Sequence, residues 1–152
     1  MRHVAVIDYG MGNLRSVSKA LEAVSSAVTV KVTADPKLIQ SASHVVLPGV
    51  GAIRDCIDEL ARLDLDMIIQ EVAQTKPLLG ICLGMQALLS HSEENNGTNA
   101  LNIIPGRVRQ FDATLSRTER DFKVPQMGWN QVHQLFSHPL WKDIKQDSRF
   151  YF

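Results

Sequence analysis

The chain has 152 residues, 45% of them apolar, enough to bury one core and matching a single domain spanning 1–152. Sixteen basic residues balance sixteen acidic ones, and no basic cluster is long enough to track a phosphate backbone, which argues against nucleic acid and leaves small molecules or proteins as partners. No apolar run reaches membrane-spanning length and the first residues lack a signal peptide's basic and apolar regions, so a cytoplasmic location is expected. The two cysteines have no C-x-x-C spacing. That argues against a disulfide scaffold or a structural zinc site, and no metal or cofactor is expected.

In chain order, the apolar run His3–Asp8 predicts a strand. Leu14, Val17, Leu21 and Val24 recur at helical spacing and predict a helix from Asn13 to about Ser26, followed by a strand over Val28–Val32. Asp35-Pro36 predicts an N-cap with proline at the first helical position, before a strand at His44–Leu47. A helix is expected from about Ala52 to Leu63, where Ile53, Cys56, Ile57 and Leu60 share one face and mark Cys56 as core packing. Asp64 or Asp66 is expected to cap another helix carrying Ile68, Ile69 and Val72. Pro77–Ile81 then reads as a short buried strand, and Met85–Leu89 as the opening of a helix that ends near His91.

Such strand–helix alternation implies a parallel sheet with helices on both faces, whose ligands bind beyond the carboxyl ends of the strands. Three glycine-bearing segments fall at such ends and are expected to converge on one cleft: Gly10-Met11-Gly12-Asn13, Pro48-Gly49-Val50-Gly51 and the turn around Cys82. After the polar turn Glu93–Gly97, short runs at Arg107–Phe111 and Phe122–Val124 suggest antiparallel or edge strands. Arg149-Phe150-Tyr151-Phe152 looks like a strand just beginning. An aromatic strand with nothing after it would expose an apolar edge, so the chain reads as a fragment.

The run Gly80-Ile81-Cys82-Leu83-Gly84-Met85-Gln86 carries the chemistry. It places Cys82 on a strand-to-helix turn, which forces a nucleophile into a strained conformation pointing outward. Side chains at the flanking glycines would clash with neighbouring backbone. N–H groups at the helix start, with the helix dipole, favour thiolate and can hold an oxyanion. Gly10-Met11-Gly12 resembles a dinucleotide fingerprint only in part, because Arg15 stands where the third glycine belongs. A thiol nucleophile also needs a general base, usually histidine. His3 and His44 sit in strands, His91 falls on the wrong helical face, and His133 and His138 lie in loop-like sequence as solvated or structural residues.

Together, Pro48-Gly49-Val50-Gly51, Gly80–Gln86 and Gln126-Met127-Gly128-Trp129-Asn130 resemble the class I glutamine amidotransferases along the whole chain. Met85, where that superfamily often has histidine, and Asp8–Asn13 are similar to the branch serving histidine biosynthesis. The resemblance implies an α/β, three-layer fold with a mainly parallel central sheet, whose C-terminal strands and helix this chain would lack. It implies that Cys82 attacks the carboxamide of L-glutamine, that Gly49, Val50 and Leu83 form the oxyanion hole, and that Gly51, Gln86 and Glu94 hold the substrate. For Glu94 a solvated acidic turn is the alternative. Asn13, Gln126, Trp129 and Tyr151 resemble positions facing a (β/α)8-barrel cyclase subunit that receives the ammonia in a heterodimer, and for Trp129 a buried structural role is the alternative. The family's base is a His-x-Glu type pair that this chain does not reach, so it is expected to be nearly inactive alone. Two other readings stay open: a non-catalytic binding partner of the barrel, and another hydrolase with a cysteine elbow.

Overall fold

The computed structural model describes residues 2–111 and 126–152. The run predicted at Phe122–Val124 lies outside them. Two compact units emerge, 1–110 and 111–152.

In the first unit four parallel strands form the central sheet in the order β2-β1-β3-β4. They are β1 (Arg2–Ile7), β2 (Val28–Thr33), β3 (His44–Gly49) and β4 (Leu78–Cys82). The helices between them are α1 (Leu14–Val24), α2 (Pro36–Ser41), and the pair α3 (Ile53–Arg62) and α4 (Leu65–Thr75). Successive strand residues point to opposite faces, and β1 uses both. Val4 and Val6 join Val46 against Leu14, Val17 and Leu21 of α1, while Ala5 and Ile7 enter the larger core with Val45, Leu47, Ile53, Leu60 and Ile69. This explains why the strands read as continuous apolar runs. Cys56 is fully buried in the larger core, as its helical face requires.

The caps follow local chemistry. The Asn13 side chain accepts from Ser16 N at 3.2 Å, and Asp35 accepts from Lys37 N at 2.9 Å with Pro36 at the first helical position. Asp64 holds the N-cap position of α4, as expected, but in a left-handed conformation, φ 55°, and its side chain makes no capping hydrogen bond. Its backbone instead makes the tight reversal between α3 and α4.

The structure departs from expectation in three further places. The run leading to Cys82 is not a buried strand, because β4 lies at the edge of the described sheet and leaves Leu79 49% exposed. The helix after Cys82, α5 (Leu83–Ala87), ends well before His91. The carbonyls at its last residue and just beyond are taken by a distant segment: Leu101 N donates to Ala87 O at 2.9 Å, Asn102 N to Leu89 O at 2.9 Å, and Ile104 N to Leu88 O at 2.8 Å. Those partners stop the helix and turn the chain into β5 (His91–Ser92). β5 pairs antiparallel with β6 (Thr98–Asn99) and parallel with β7 (Arg107–Val108), so the run predicted at Arg107–Phe111 is shorter and parallel to its neighbour, and it holds the edge position that was the other expectation.

The second unit pairs β8 (Trp129–Gln131) antiparallel with β9 (Arg149–Tyr151), the terminal strand read from the sequence. Trp129 and Tyr151 face each other in register, ring centroids 5.7 Å apart and edge to face. Both are exposed, Trp129 by 61%, which rules out the buried role for this tryptophan.

Candidate active site

Cys82 ends β4 in the conformation φ 54°, ψ −116°, a region that non-glycine residues adopt only when their surroundings impose it. The surroundings are backbone packed on backbone. A Cβ at position 84 would lie 1.9 Å from the Leu47 carbonyl oxygen, and one at position 80 would lie 2.6 Å from Met85 Cα. Only glycine lets α5 press against β3 and fold back over β4, and that double approach produces the corner. Cys82 is exposed there, in contrast to Cys56. Since α5 has five residues, its macrodipole is that of little more than one turn, and electrostatic help rests on its free N–H groups rather than on a long helix.

The corner opens on a cleft of about 610 Å³ lined by Gly51, Cys82, Leu83, Gln86, Glu94 and Arg109, among others. That volume suits a small-molecule ligand. Thus five residues singled out from the sequence meet in one cavity. Gly49 and Val50 do not line it. Gly49 is the register partner of Cys82 across β3 and β4, and Val50 follows it, half exposed. The first glycine segment stays out of the wall too, bracing the second: Met11 Cε lies 3.0 Å from a Cβ built on Gly51, and Gly12 abuts the Pro48 ring.

Glu94 is more than a solvated turn. Its Oε2 accepts from Ile53 N at 3.1 Å, capping α3, whose own N-cap residue Ala52 offers no side-chain bond. The turn that carries Glu94 is held to the same helix by Arg54, whose guanidinium donates to the carbonyls of Asn95 and Gly97. Buried Ser92 accepts from Glu94 N at 3.2 Å. Arg54, Ser92 and Arg109 are participants that sequence reasoning missed. Arg54 sits in a helix that was read, but its partners Asn95 and Gly97 lie more than 40 residues on, and only the small β5–β7 sheet brings Arg109 round, where it lies 3.6 Å from Glu93.

Four of the five histidines are otherwise engaged, and His3 lies in β1. His91 meets Asn99, His133 meets Asp147, His138 caps the turn at Pro139, and His44 contacts Ser43. Among the described residues that line the cleft there is no histidine. Asn13 is an exposed helix cap in the first unit, whereas Gln126, Trp129 and Tyr151 belong to the second. No cluster of three or more candidate metal ligands occurs among the described residues, and none of their helices is long and apolar enough to cross a membrane.

A strained, exposed cysteine at a strand–helix corner, two glycines admitting the helix, and a polar cleft at the strand ends together make a candidate thiol nucleophile site. The chain belongs to the class-I glutamine amidotransferase family, whose model matches residues 5–151. Over all 152 residues it is 60% identical to imidazole glycerol phosphate synthase subunit HisH of Nitrosococcus oceani and 56% identical to the HisH subunit of Pseudomonas putida, spanning 71% of each. A HisH 1 subunit of Pseudomonas aeruginosa is 55% identical over the same span. Among solved structures, a peptidase E-type protein from Listeria monocytogenes EGD-e matches with a TM-score of 0.54 at 17% identity, covering 68% of this chain and 63% of its own. That likeness concerns the fold alone.

Proposed function

We propose that this chain is the glutaminase subunit of imidazole glycerol phosphate synthase, releasing ammonia from L-glutamine for a cyclase subunit in histidine biosynthesis. The observation that carries the reading is the exposed, strained Cys82 in one cleft with Gly51, Gln86 and Glu94, in a chain 60% identical to a HisH subunit. The family match across both units supports one amidotransferase domain over 1–152.

In the proposed reaction the Cys82 sulfur adds to the carboxamide carbon of glutamine. The resulting oxyanion takes hydrogen bonds from Leu83 N–H and from the N–H of the Gly49–Val50 peptide. Collapse breaks the C–N bond, the amide nitrogen leaves as ammonia with the proton that the Cys82 thiol gave up, and a glutamyl thioester remains. Water attacks the thioester and releases glutamate and the thiol. Gln86 sits beside the carboxamide. Glu94 uses Oε2 for the α3 cap and offers Oε1 to the substrate's ammonium, so one carboxylate serves both.

The step that the described lining residues do not furnish is removal of the thiol proton, since no histidine is among them. We therefore propose that this polypeptide by itself turns over little glutamine, and that a (β/α)8-barrel cyclase is its partner, docking on the exposed Asn13, Trp129 and Tyr151 and the half-buried Gln126. Direct transfer to such a partner keeps ammonia from being protonated in water near neutral pH, where it would lose its nucleophilic lone pair. The test is protection: L-glutamine should slow alkylation of Cys82 by iodoacetamide, and Gln86→Ala or Glu94→Ala should abolish that protection. Alkylation at the same rate with and without saturating glutamine would contradict the reading.

A further inference from the structure

We propose that Tyr9 is a positioning residue for the oxyanion segment: its hydroxyl fixes the Pro48 carbonyl, so that backbone rotation beside Cys82 is confined to the next peptide, Gly49–Val50. Tyr9 lies two residues beyond β1 and is 1% exposed, and its Oη donates to Pro48 O at 2.9 Å across 39 residues of sequence. Cys56 Sγ donates in turn to the same Oη at 3.4 Å, so the hydroxyl both receives and gives a hydrogen bond inside the core. Burial pushes both groups above their ordinary values, and the thiol and the phenol keep the protons this relay uses.

The brace is steric as well as polar. A Cβ built on Gly49 would stand 2.6 Å from that same Tyr9 oxygen and 2.8 Å from Gly84 N. Gly49 is thus held from two sides, by the phenol and by the start of α5, in register with Cys82. One residue later Val50 is half exposed and Gly51 takes φ +94°. The change from clamped to free backbone falls at the peptide whose N–H the reaction needs. Any buried tyrosine seeks an acceptor. Here the acceptor is the carbonyl immediately before the oxyanion segment, and the donor behind it is the one core cysteine.

This inference rests on reading the Gly49–Val50 N–H as an oxyanion donor, and the experiment separates the two. In the full chain, the rate of Cys82 modification by 6-diazo-5-oxo-L-norleucine, a glutamine mimic whose carbonyl uses the oxyanion donors, is divided by the rate with iodoacetamide, which does not. Tyr9→Phe should lower the ratio about tenfold, less than the loss of a donor outright, while the iodoacetamide rate stays unchanged. Parallel change in both rates, or no change in either, overturns the proposal. Should Tyr9→Phe not fold, Cys56→Ala, which removes the donor behind the phenol, should lower the ratio in the same direction, and an unaltered ratio overturns it. Failure of the underlying reading looks different: the wild-type chain would then show no preference for the glutamine mimic and no protection by glutamine.

Discussion

Gly84→Ala tests the packing that makes the cysteine corner. The added Cβ would sit 1.9 Å from Leu47 O, 2.7 Å from Leu47 C and 3.2 Å from Leu47 Cγ. An ordinary carbon–oxygen approach is about 3.3 Å, so α5 and β3 must separate by about 1.4 Å. Leu47 is fully buried mid-strand and its carbonyl cannot swing aside. The cost belongs at or above the upper end of overpacking, about 3 kcal/mol, which for a domain of this size lowers Tm by about 6–12 °C. A displacement of that order moves Cys82 relative to Gly49 and should slow labelling by the glutamine mimic about 10²-fold. Gly10→Ala is the control: Gly10 has φ +85° but nothing within 4 Å of its would-be Cβ, so only backbone strain of about 1–2 kcal/mol applies and labelling stays normal. Differential scanning calorimetry with timed mass spectrometry reads both quantities. Equal Tm losses in the two variants, or full labelling in Gly84→Ala, would refute the close-approach argument.

Three further outcomes are expected. Glu94→Ala should lose the α3 cap at about 1 kcal/mol by thermal denaturation, whereas Glu94→Gln keeps an acceptor for Ile53 N, retains most stability, and still binds glutamine at least about tenfold more weakly in protection assays. Tyr9 and Cys56 are both pushed above their ordinary values of 10.0 and 9.0, chiefly by burial, so the folded state holds their protons more tightly than the unfolded chain. Their contribution is whole below pH 9 and is lost as pH rises through and beyond that range; urea midpoints should fall above pH 9 less steeply in Cys56→Ala than in wild type. In the native protein a mild disulfide reagent should modify Cys82 quickly and Cys56 only after denaturant is added, as their exposures dictate.

What was legible in the sequence was local. The glycines at 80 and 84 flanking Cys82, the caps at Asn13 and Asp35, and the apolar runs of β1 and β3 each encode their conformation within a few residues. What was hidden depends on partners far along the chain. Met85–Leu89 has a good helical pattern, yet the carbonyls of Ala87, Leu88 and Leu89 are claimed by residues 101–104, which no window around Cys82 contains. The exposure of Leu79 follows from strand order, not from its own apolar neighbourhood. Glu94 looked like part of a solvated acidic turn because its partner, the amide of Ile53, lies 41 residues earlier. Tyr9 entered the sequence reading only within the Asp8–Asn13 run, with no role of its own, for the same reason: its acceptor is 39 residues away.

The most direct test of the account is to treat the full chain with 6-diazo-5-oxo-L-norleucine, digest it and map the modified thiol, with and without L-glutamine. An adduct on Cys82 alone is expected, suppressed by L-glutamine and not by L-asparagine. An adduct on Cys56, or one on Cys82 that glutamine leaves undiminished, would contradict it.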